Sequence, residues 1–416
     1  MLLFLKEIDR VARILKSMLK EKSVKIISHY DADGLTSSAI LIKALLREGA
    51  SFQLKVIKQL TKKEIGKIDA SSQDLLLLAD LGSGQLKYLK ELLDRTHVLI
   101  IDHHHPYPLT HMNLFHLNPM IFNEEGVSAS IISYLFAKSL DKRNANLIDL
   151  AIVGAVGDAQ DERWELRGLA KKVLREAENM GKVVVTKGLR LYGRNMRPIH
   201  KALELAFDPF IPGISGSESN AVQLLAELGI PVKEGERWRK LSDLTLEEQR
   251  RLASAIIIER LKGERSNAED IFGDIYTLPE RPKELQDARE FATILNACGK
   301  FGKPDVAIRL CLGDESAISE ALQIFEEYRK AINEALEWIR KNKNALISTK
   351  FGTFLLAGSS IPEDLIGTVT SILLNSNFVD KNKPLFGLAE AKDGMVKVSA
   401  RAGRLEVNLR EAIVEA

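Results

Sequence analysis

Residues 24–34 read VKIISHYDADG, and this stretch decides the fold. VKIIS is a short β-branched run, DADG is an acidic turn with a glycine, and Ser37 to Glu48 carries apolar residues at helical spacing. The order is therefore strand, loop, helix. The unit recurs: LLLLAD at 75–80 precedes LGSG and a helix expected from about Gln85 to Asp94, and HVLIID at 97–102 precedes HHHPYP. Strands that are apolar along their whole length and alternate with helices predict an α/β fold with a parallel sheet covered on both faces. Each run is closed by an aspartate, at Asp31, Asp80 and Asp102.

Upstream, Phe4, Ile8, Val11, Leu15, Met18 and Leu19 recur at helical spacing with charges between them, which reads as an amphipathic opening helix and not a signal peptide. Downstream, Gly126 to Leu140 and Asn146 to Val156 predict two helices, the second running into GAVGD at 154–158. From Arg163 to about Pro282 the pattern is mostly helical, interrupted by the loop DPFIPGISGSES that starts at Asp208. Ile318, Leu322, Phe325, Tyr328, Ile332, Leu336 and Ile339 predict one helix of about seven turns, long enough to bridge two lobes. After it, short strands, a helix over 362–374 and a hairpin across Lys392-Asp393-Gly394 predict a small α/β domain. The expected division is 1–285 for a catalytic domain, with its motifs within 1–160 and a mostly helical extension over 161–285. A connecting segment over 286–340 and the small domain over 341–416 complete it.

The 416 residues are 45% hydrophobic and 28% charged, which excludes collagen-like, low-complexity and disordered classes. Lys plus Arg number 59 against 57 Asp plus Glu, so a nucleic-acid site has to come from clustered and not net charge. Cys298 and Cys311 lack CxxC spacing and sit among apolar neighbours, which fits a reducing compartment and predicts a cytoplasmic protein. No apolar run approaches the ~20 residues of a membrane span, so no membrane partner is expected.

In open α/β sheets, ligands bind beyond the carboxyl ends of the strands, where this sequence gathers Asp31, Asp33, Asp80, Asp102, His103 and His104. Carboxylates crowded at one sheet edge repel strongly unless cations neutralise them. Hard oxygen donors mixed with imidazole suit Mn²⁺ or Mg²⁺ better than a structural zinc. A pair of such ions can activate water and stabilise the attacking and leaving oxygens at phosphorus. Taken singly, the pieces also read as local structure: DADG as a turn, a strand-end aspartate as a helix cap, GAVGD as a helix end. Three strand-end aspartates together with an Asp-His-His run favour metal binding. His105, His111 and His116 read as loop or surface residues.

HYDADG at 29–34, AD at 79–80, DHH at 102–104 and GAVGD at 154–158 resemble, in order and spacing, the DHH phosphoesterase superfamily. The HxDADG form, LNACG at 295–299 and the PFIPG loop look most like archaeal RecJ-like nucleases. The resemblance implies a parallel-sheet DHH catalytic domain, a smaller α/β DHHA1-like domain and a helical linker. It implies Asp80 bridging two Mn²⁺ ions, with Mg²⁺ the alternative, Asp31 on the first ion, and Asp33, His103 and Asp158 on the second. Asp102 would orient a histidine or ligate weakly, and His104 would stabilise charge on the phosphoryl group. In several branches the ligand histidine precedes the DxD pair by four residues, a position occupied here by Ile27. Either His29 reaches the first ion from a different backbone position, or that ion is held more weakly.

VSARA at 398–402 corresponds to the SxR region of DHHA1 domains, which makes Ser399 and Arg401 candidate contacts to a phosphate or terminal nucleotide. The plain alternative for Arg401 is an exposed strand arginine. DHHA1 domains usually continue to a GGGHxxAAG segment, absent before Ala416, so either the sequence is truncated or this branch has lost it. Arg194 and Arg197, in RLYGRNMRPIHK at 190–201, suit the phosphates of a single strand, with Tyr192 for a base; a solvated loop is the equal alternative. GKFGK at 299–303 is a weaker phosphate signal.

The expected activity is a RecJ-like exonuclease that removes nucleotides from an end of single-stranded DNA or RNA, with replication or repair proteins as the partners the resemblance suggests. Two other readings stand beside it. One is a nanoRNase-like oligonucleotide or cyclic-dinucleotide phosphodiesterase, and the other a replication or repair scaffold with weak or no nuclease activity.

Overall fold

The computed structural model describes residues 1–20, 22–69, 75–124, 126–161, 165–206, 210–262, 268–375, 379–392, 394–403 and 409. Arg163, Asp208 and Asp393, which the sequence reading uses, lie outside the described residues. Packing divides the chain into two compact units, Met1–Gly188 with Gly273–Leu322, and Leu189–Phe272 with Gln323–Ala416. Residues 189–272, grouped from sequence with the catalytic domain, thus pack in the second unit, around a core of their own that includes Ile199, Leu225, Leu252 and Ile256.

In the first unit, β1 (Ser23–His29), β2 (Ser51–Ile57), β3 (Leu75–Ala79), β4 (His97–Ile101) and β5 (Leu114–Leu117) form one parallel sheet in the order β2-β1-β3-β4-β5. The continuously apolar β3 and β4 are buried as expected of strands covered on both faces. Ile27, Leu76, Leu78, Val98 and Ile100 share one core with Leu86, Leu89, Leu92 and Leu93. The expected helix over 85–94 is instead a 3₁₀ segment, Ser83–Tyr88, and a single α-turn, Lys90–Leu93. Leu86, Leu89 and Leu92 recur every three residues, the period of a 3₁₀ helix, and lay one row of side chains on the sheet.

Helix α1 (Leu2–Leu19) buries the stripe Phe4, Ile8, Val11, Leu15 and Leu19. Helix α2 (Ala32–Arg47) packs against α3 (Ala129–Leu140) and α4 (Ile148–Gly157). The approach is tight at Gly154, where a Cβ would lie 2.3 Å from Thr36 Oγ1 and 2.4 Å from Ser130 Oγ. Any side chain there would push the helices apart, and α2 and α4 each carry candidate ligands at one end.

The second unit holds a four-stranded sheet of Leu346–Ser348, Thr353–Gly358, Leu385–Glu390 and Val396–Arg401 in that order, parallel only at its centre, with helix Glu363–Asn375 packed on its last two strands. The helix Ile318–Lys341 begins in the first unit and continues in the second. Among the described residues no helix is long and apolar enough to cross a membrane.

Candidate metal centre

Strand register assembles the site. Ser28 of β1 pairs with Ala79 of β3, which pairs with Ile101 of β4, which pairs with Leu117 of β5. One residue further along each strand, His29, Asp80, Asp102 and Asn118 stand in a row at the carboxyl edge. The row crosses the point where β2 and β3 lie on opposite sides of β1, the switch point at which open α/β sheets bind ligands. Asp80 adopts a left-handed backbone, φ 59°, while its N–H donates to Ile101 O at 2.8 Å. Strain of that kind is retained where a side chain has to be aimed.

Asp31 and Asp33 enter from the first turn of α2. Asp31 is the N-cap: one oxygen accepts from Gly34 N at 3.0 Å, and the other lies 2.9 Å from His29 Nδ1. Capping and ligand geometry are therefore compatible in one carboxylate. Asp33 is buried, and its oxygens accept from Ala129 N at 2.7 Å and Ser130 N at 2.9 Å, the first turn of α3. Asp158 is the C-cap of α4 and accepts from Gln160 Nε2 at 2.6 Å.

Two separate triads result, His29 with Asp31 and Asp80, and Asp33 with His103 and Asp158, and a third grouping, Asp80 with His103 and His104, shares one member with each. His103 Nε2 lies 3.4 Å from Asp80 Oδ1, 3.6 Å from Asp158 Oδ2 and 3.9 Å from Asp33 Oδ2. Asp80 turns its other oxygen to His29 Nδ1 at 3.3 Å, so it stands between the triads. His29 Nδ1, Asp80 Oδ1 and His103 Nε2 are buried, and their mutual contacts lack the alignment of hydrogen bonds. Buried ligand-type atoms converging without hydrogen bonds are what a cation would satisfy, and carboxylate with imidazole suits a hard divalent ion.

The charges of the bare cluster tell the same story. Burial, with the Asp31 and Asp33 charges, pushes Asp80 up to about 7, and burial with the Asp33 charge pushes Asp158 up to about 6. Burial also raises Asp33, aided by the Asp31 charge and opposed by His103. Burial disfavours a charged His29, but Asp31 and Asp80 overcome it and lift the imidazole to about 11. The same contest at His103, won by Asp80, Asp158 and Asp33, ends at about 10. Asp31 goes the other way: against the cost of its burial, His29 and the Gly34 N–H hold it well below the usual carboxylate range. Without cations, the cluster holds its carboxylates together with protons.

Asp102 stands apart from both triads. It is fully buried and accepts from Ser83 N at 2.8 Å, His103 N at 2.8 Å, His104 N at 3.2 Å and His104 Nδ1 at 2.7 Å. Despite burial, the His104 bond and these N–H groups keep it ionised far below its ordinary range. His104 Nδ1 is also 3.9 Å from Asp80 Oδ1 but is committed to Asp102, so its Nε2 faces outward on a side chain 58% exposed. His105 lies exposed in the following loop, His111 Nε2 is 3.3 Å from Asp94, and His116 Nε2 is 2.8 Å from Ser83 Oγ.

Sequence reasoning did not assign a role to the residues that hold the acidic loop from outside. Asn296 Oδ1 accepts from Ala32 N at 2.9 Å, and Gly299 lies under Tyr30, where a Cβ would come 1.8 Å from Tyr30 O. The LNACG segment at 295–299 was the available signal. Gly299→Ala is expected to displace the His29–Asp31 loop, lowering stability by about 2–4 kcal/mol and activity by more than about tenfold. Thermal melts and a phosphodiester assay read this, and an unchanged melt with full activity would show that the loop gives way freely.

The candidate substrate residues all lie in the second unit. Arg401 donates to Ser371 Oγ at 2.8 Å, Ser399 Oγ at 3.2 Å, Ala400 O at 2.9 Å and Gly367 O at 3.3 Å, and Ser399 is buried. The arginine is thus tied into the sheet and its helix, not standing free on a strand. Arg401→Ala is expected to cost about 1–3 kcal/mol of stability. Denaturant unfolding checks it, and unchanged stability would mean that these bonds do not hold the sheet and its helix together. Arg197 is buried with its guanidinium over the Tyr192 ring at 4.6 Å, and Arg194 is half-buried.

The sequence matches the family model described as DHH family, N-terminal domain, over residues 23–155, and the DHH-CID domain over residues 191–271. An uncharacterized protein of Methanocaldococcus jannaschii is 30% identical over 415 residues, 97% of this chain and 87% of the relative. The chain belongs to the DHH family. Within this phosphoesterase family it is RecJ-like: the single-stranded-DNA-specific exonuclease RecJ of Thermus thermophilus is 29% identical over 220 residues, 50% of this chain and 32% of that protein. The crystal structure of that RecJ with Mn²⁺ superposes with a TM-score of 0.54 at 18% identity, covering 92% of this chain and 46% of that one. An exonuclease RecJ bound to manganese gives 0.58 at 19% identity, with 98% and 84% covered. CDC45 from Entamoeba histolytica gives 0.62 at 13% identity, with 88% and 82% covered, a likeness of fold. The chain spans about a third of the length of the Thermus RecJ protein.

Proposed function

We propose that this DHH protein is a divalent-metal-dependent phosphodiesterase that removes nucleotides from an end of single-stranded DNA or RNA. The observation that carries the reading is Asp80, a buried carboxylate between two ligand triads, with one oxygen toward each. Its relation to RecJ supports the nucleic-acid part. His29, Asp31 and Asp80 would hold one Mn²⁺ or Mg²⁺ ion, and Asp80, Asp33, His103 and Asp158 a second. Such ions supply an activated water and neutralise charge on the phosphoryl oxygens.

The chain's own groups do the rest. Asp102 keeps the His104 proton at Nδ1 and raises the imidazole's affinity for a second proton, so Nε2–H can donate to a phosphoryl oxygen as charge develops. The Ala129 and Ser130 N–H groups fix the Asp33 carboxylate, and Asn296 fixes the backbone that carries Asp31 and Asp33. Ser399, Arg401, Arg194 and Arg197 are the proposed substrate contacts, and replication or repair proteins the proposed partners. Asp102→Asn is expected to slow turnover by about a hundredfold by letting the His104 ring turn, with little change in metal affinity.

Incubation with Mn²⁺ and single strands of DNA and RNA, from two to about forty nucleotides and labelled at either end, tests the reading. Stepwise shortening of long strands that Asp80→Asn abolishes is the expected result. Cleavage of the shortest strands alone would make the protein an oligonucleotide hydrolase, and no cleavage would favour a scaffold.

A further inference from the structure

Beside the DHH motif, at the β5 edge of the sheet, lies a cavity of about 640 Å³ that the metal centre does not use. Pro106, Tyr107, Pro108 and Leu109 from the loop after β4 form one wall, and Ile121 and Phe122 from the turn after β5 another. His116 of β5 also lines it. No lysine or arginine is among the lining residues. The one carboxylate, Glu7, is paired with Arg10 at 2.6 Å. His111, which also lines the cavity, lies 3.3 Å from Asp94 Oδ1, so a phosphate finds no unpaired counter-charge among these residues. A flat, uncharged group with a polar rim finds ring faces and aliphatic walls.

Hydrogen bonds tie this cavity to the catalytic histidine. Ser83 donates its N–H to Asp102 Oδ2 at 2.8 Å, accepts from Tyr107 N on its carbonyl at 2.8 Å, and places its Oγ 2.8 Å from His116 Nε2. Asn118, fully buried, donates to Ser83 Oγ at 2.9 Å and to His104 O at 2.7 Å, and caps the turn that carries Ile121 and Phe122. Ser83 Oγ accepts from Asn118 Nδ2 and keeps a hydrogen and a lone pair, so it pairs with His116 Nε2 in either tautomer of the ring. His116 thus brings to the cavity wall an imidazole able to donate or accept. The two walls and the Asp102–His104 pair hang on the same two buried residues, Ser83 and Asn118.

We propose that this cavity takes one nucleobase of the substrate, on the nucleotide next to the phosphate being cleaved, by stacking on Tyr107 and hydrogen bonding to the His116 ring. The inference rests on the phosphodiesterase reading. It deepens that reading by making a base, and not the phosphate chain alone, part of what the metal site selects. Base stacking on an aromatic side chain is sequence-tolerant, so the site would discriminate base from no base more than one base from another.

The test uses the Mn²⁺-loaded protein, with Tyr107→Ala, which removes the ring, and Leu109→Trp, which fills the cavity. Both lie on a surface loop outside the metal ligands. An all-abasic pentanucleotide carries phosphodiesters and no ring that could stack, and pentanucleotides with a single abasic residue walked along the strand remove one base at a time. Wild-type protein is expected to lose about tenfold in kcat/KM at one abasic position. Both variants should lose the same factor on the intact strand, become indifferent to that position and keep their rate on the all-abasic strand. Equal handling of intact and abasic strands by wild type, or equal losses on both probes in the variants, overturns the base site. Saturation-transfer NMR of adenosine and thymidine on metal-free protein provides an arm independent of turnover. If no substrate is hydrolysed, the phosphodiesterase reading fails, and the NMR alone decides: a nucleoside signal that disappears in Leu109→Trp supports the cavity, and no signal in wild type rejects it.

Discussion

Asp80→Asn is expected to abolish hydrolysis, by more than about a thousandfold, and to make the metal-free protein more stable above pH 7. The two effects share one cause. Asp80 is buried between Asp31 and Asp33, and burial with their charges raises its carboxyl from an ordinary 3.8 to about 7. A carboxyl raised on folding binds its proton more tightly in the native state. Its stabilising share is therefore complete below pH ~4 and is lost as pH rises through ~7. Asn has the same shape, tolerates the left-handed backbone that Asp80 adopts, and has no proton to lose. The variant should escape the decline, a difference on the order of 4 kcal/mol at pH 8. Asn cannot serve as the shared anionic ligand, so Mn²⁺ should raise the melting temperature of wild type and leave the variant nearly unmoved. Melts in chelator between pH 5 and 8, repeated with Mn²⁺, check both halves. An active Asp80→Asn, or parallel pH profiles for the two proteins, would remove Asp80 from the centre.

Much of this site was legible because its residues follow strands that announce themselves. Leu75–Ala79 and Val98–Ile101 are apolar without interruption, as strands with both faces covered read. Asp80 and Asp102 come one residue after them, so their position at the sheet edge follows from the one-dimensional pattern. The edge strands were not legible. β2 alternates exposed and half-buried residues over seven positions, and β5 has four residues in a stretch rich in polar side chains. Neither produces the apolar run that revealed the central strands.

The placement of His29 shows the limit more sharply. Its spacing to Asp31 left two possibilities open, and the spacing alone cannot decide between them. What brings Nδ1 to Asp31 and Asp80 is the pairing of Ser28 with Ala79, a contact between distant parts of the chain. The same holds for Asp33, whose partners Ala129 N and Ser130 N are supplied by the start of another helix, and for Asn296. Ligand identity is written locally. The groups that fix ligand orientation are backbone N–H groups and amides that no motif marks.

The second large effect concerns metal uptake. Binding of the two Mn²⁺ ions is expected to release more than two protons at pH 7, and the overall constant for the pair to weaken by at least about a hundredfold for each unit the pH falls below 7. Ligands have to be deprotonated to bind, and the bare cluster holds His29 at about 11 and His103 at about 10, so both are protonated at neutral pH. Asp80, at about 7, adds a fractional proton that grows as pH drops. Each cation displaces the charge that substituted for it, since the same carboxylates that raise the histidines also attract the metal. Calorimetric titration in two buffers of different ionisation enthalpy counts the protons directly. His29→Gln should reduce the count by about one and chiefly affect the ion held with Asp31, leaving the ion at Asp33, His103 and Asp158 to titrate as before. His104 groups with Asp80 and His103 but should contribute little, because its Nδ1 is committed to Asp102 at 2.7 Å. Binding with no proton release, or a His29→Gln protein with the full count, would mean that the imidazoles are not the ligands, and the centre would reduce to its carboxylates.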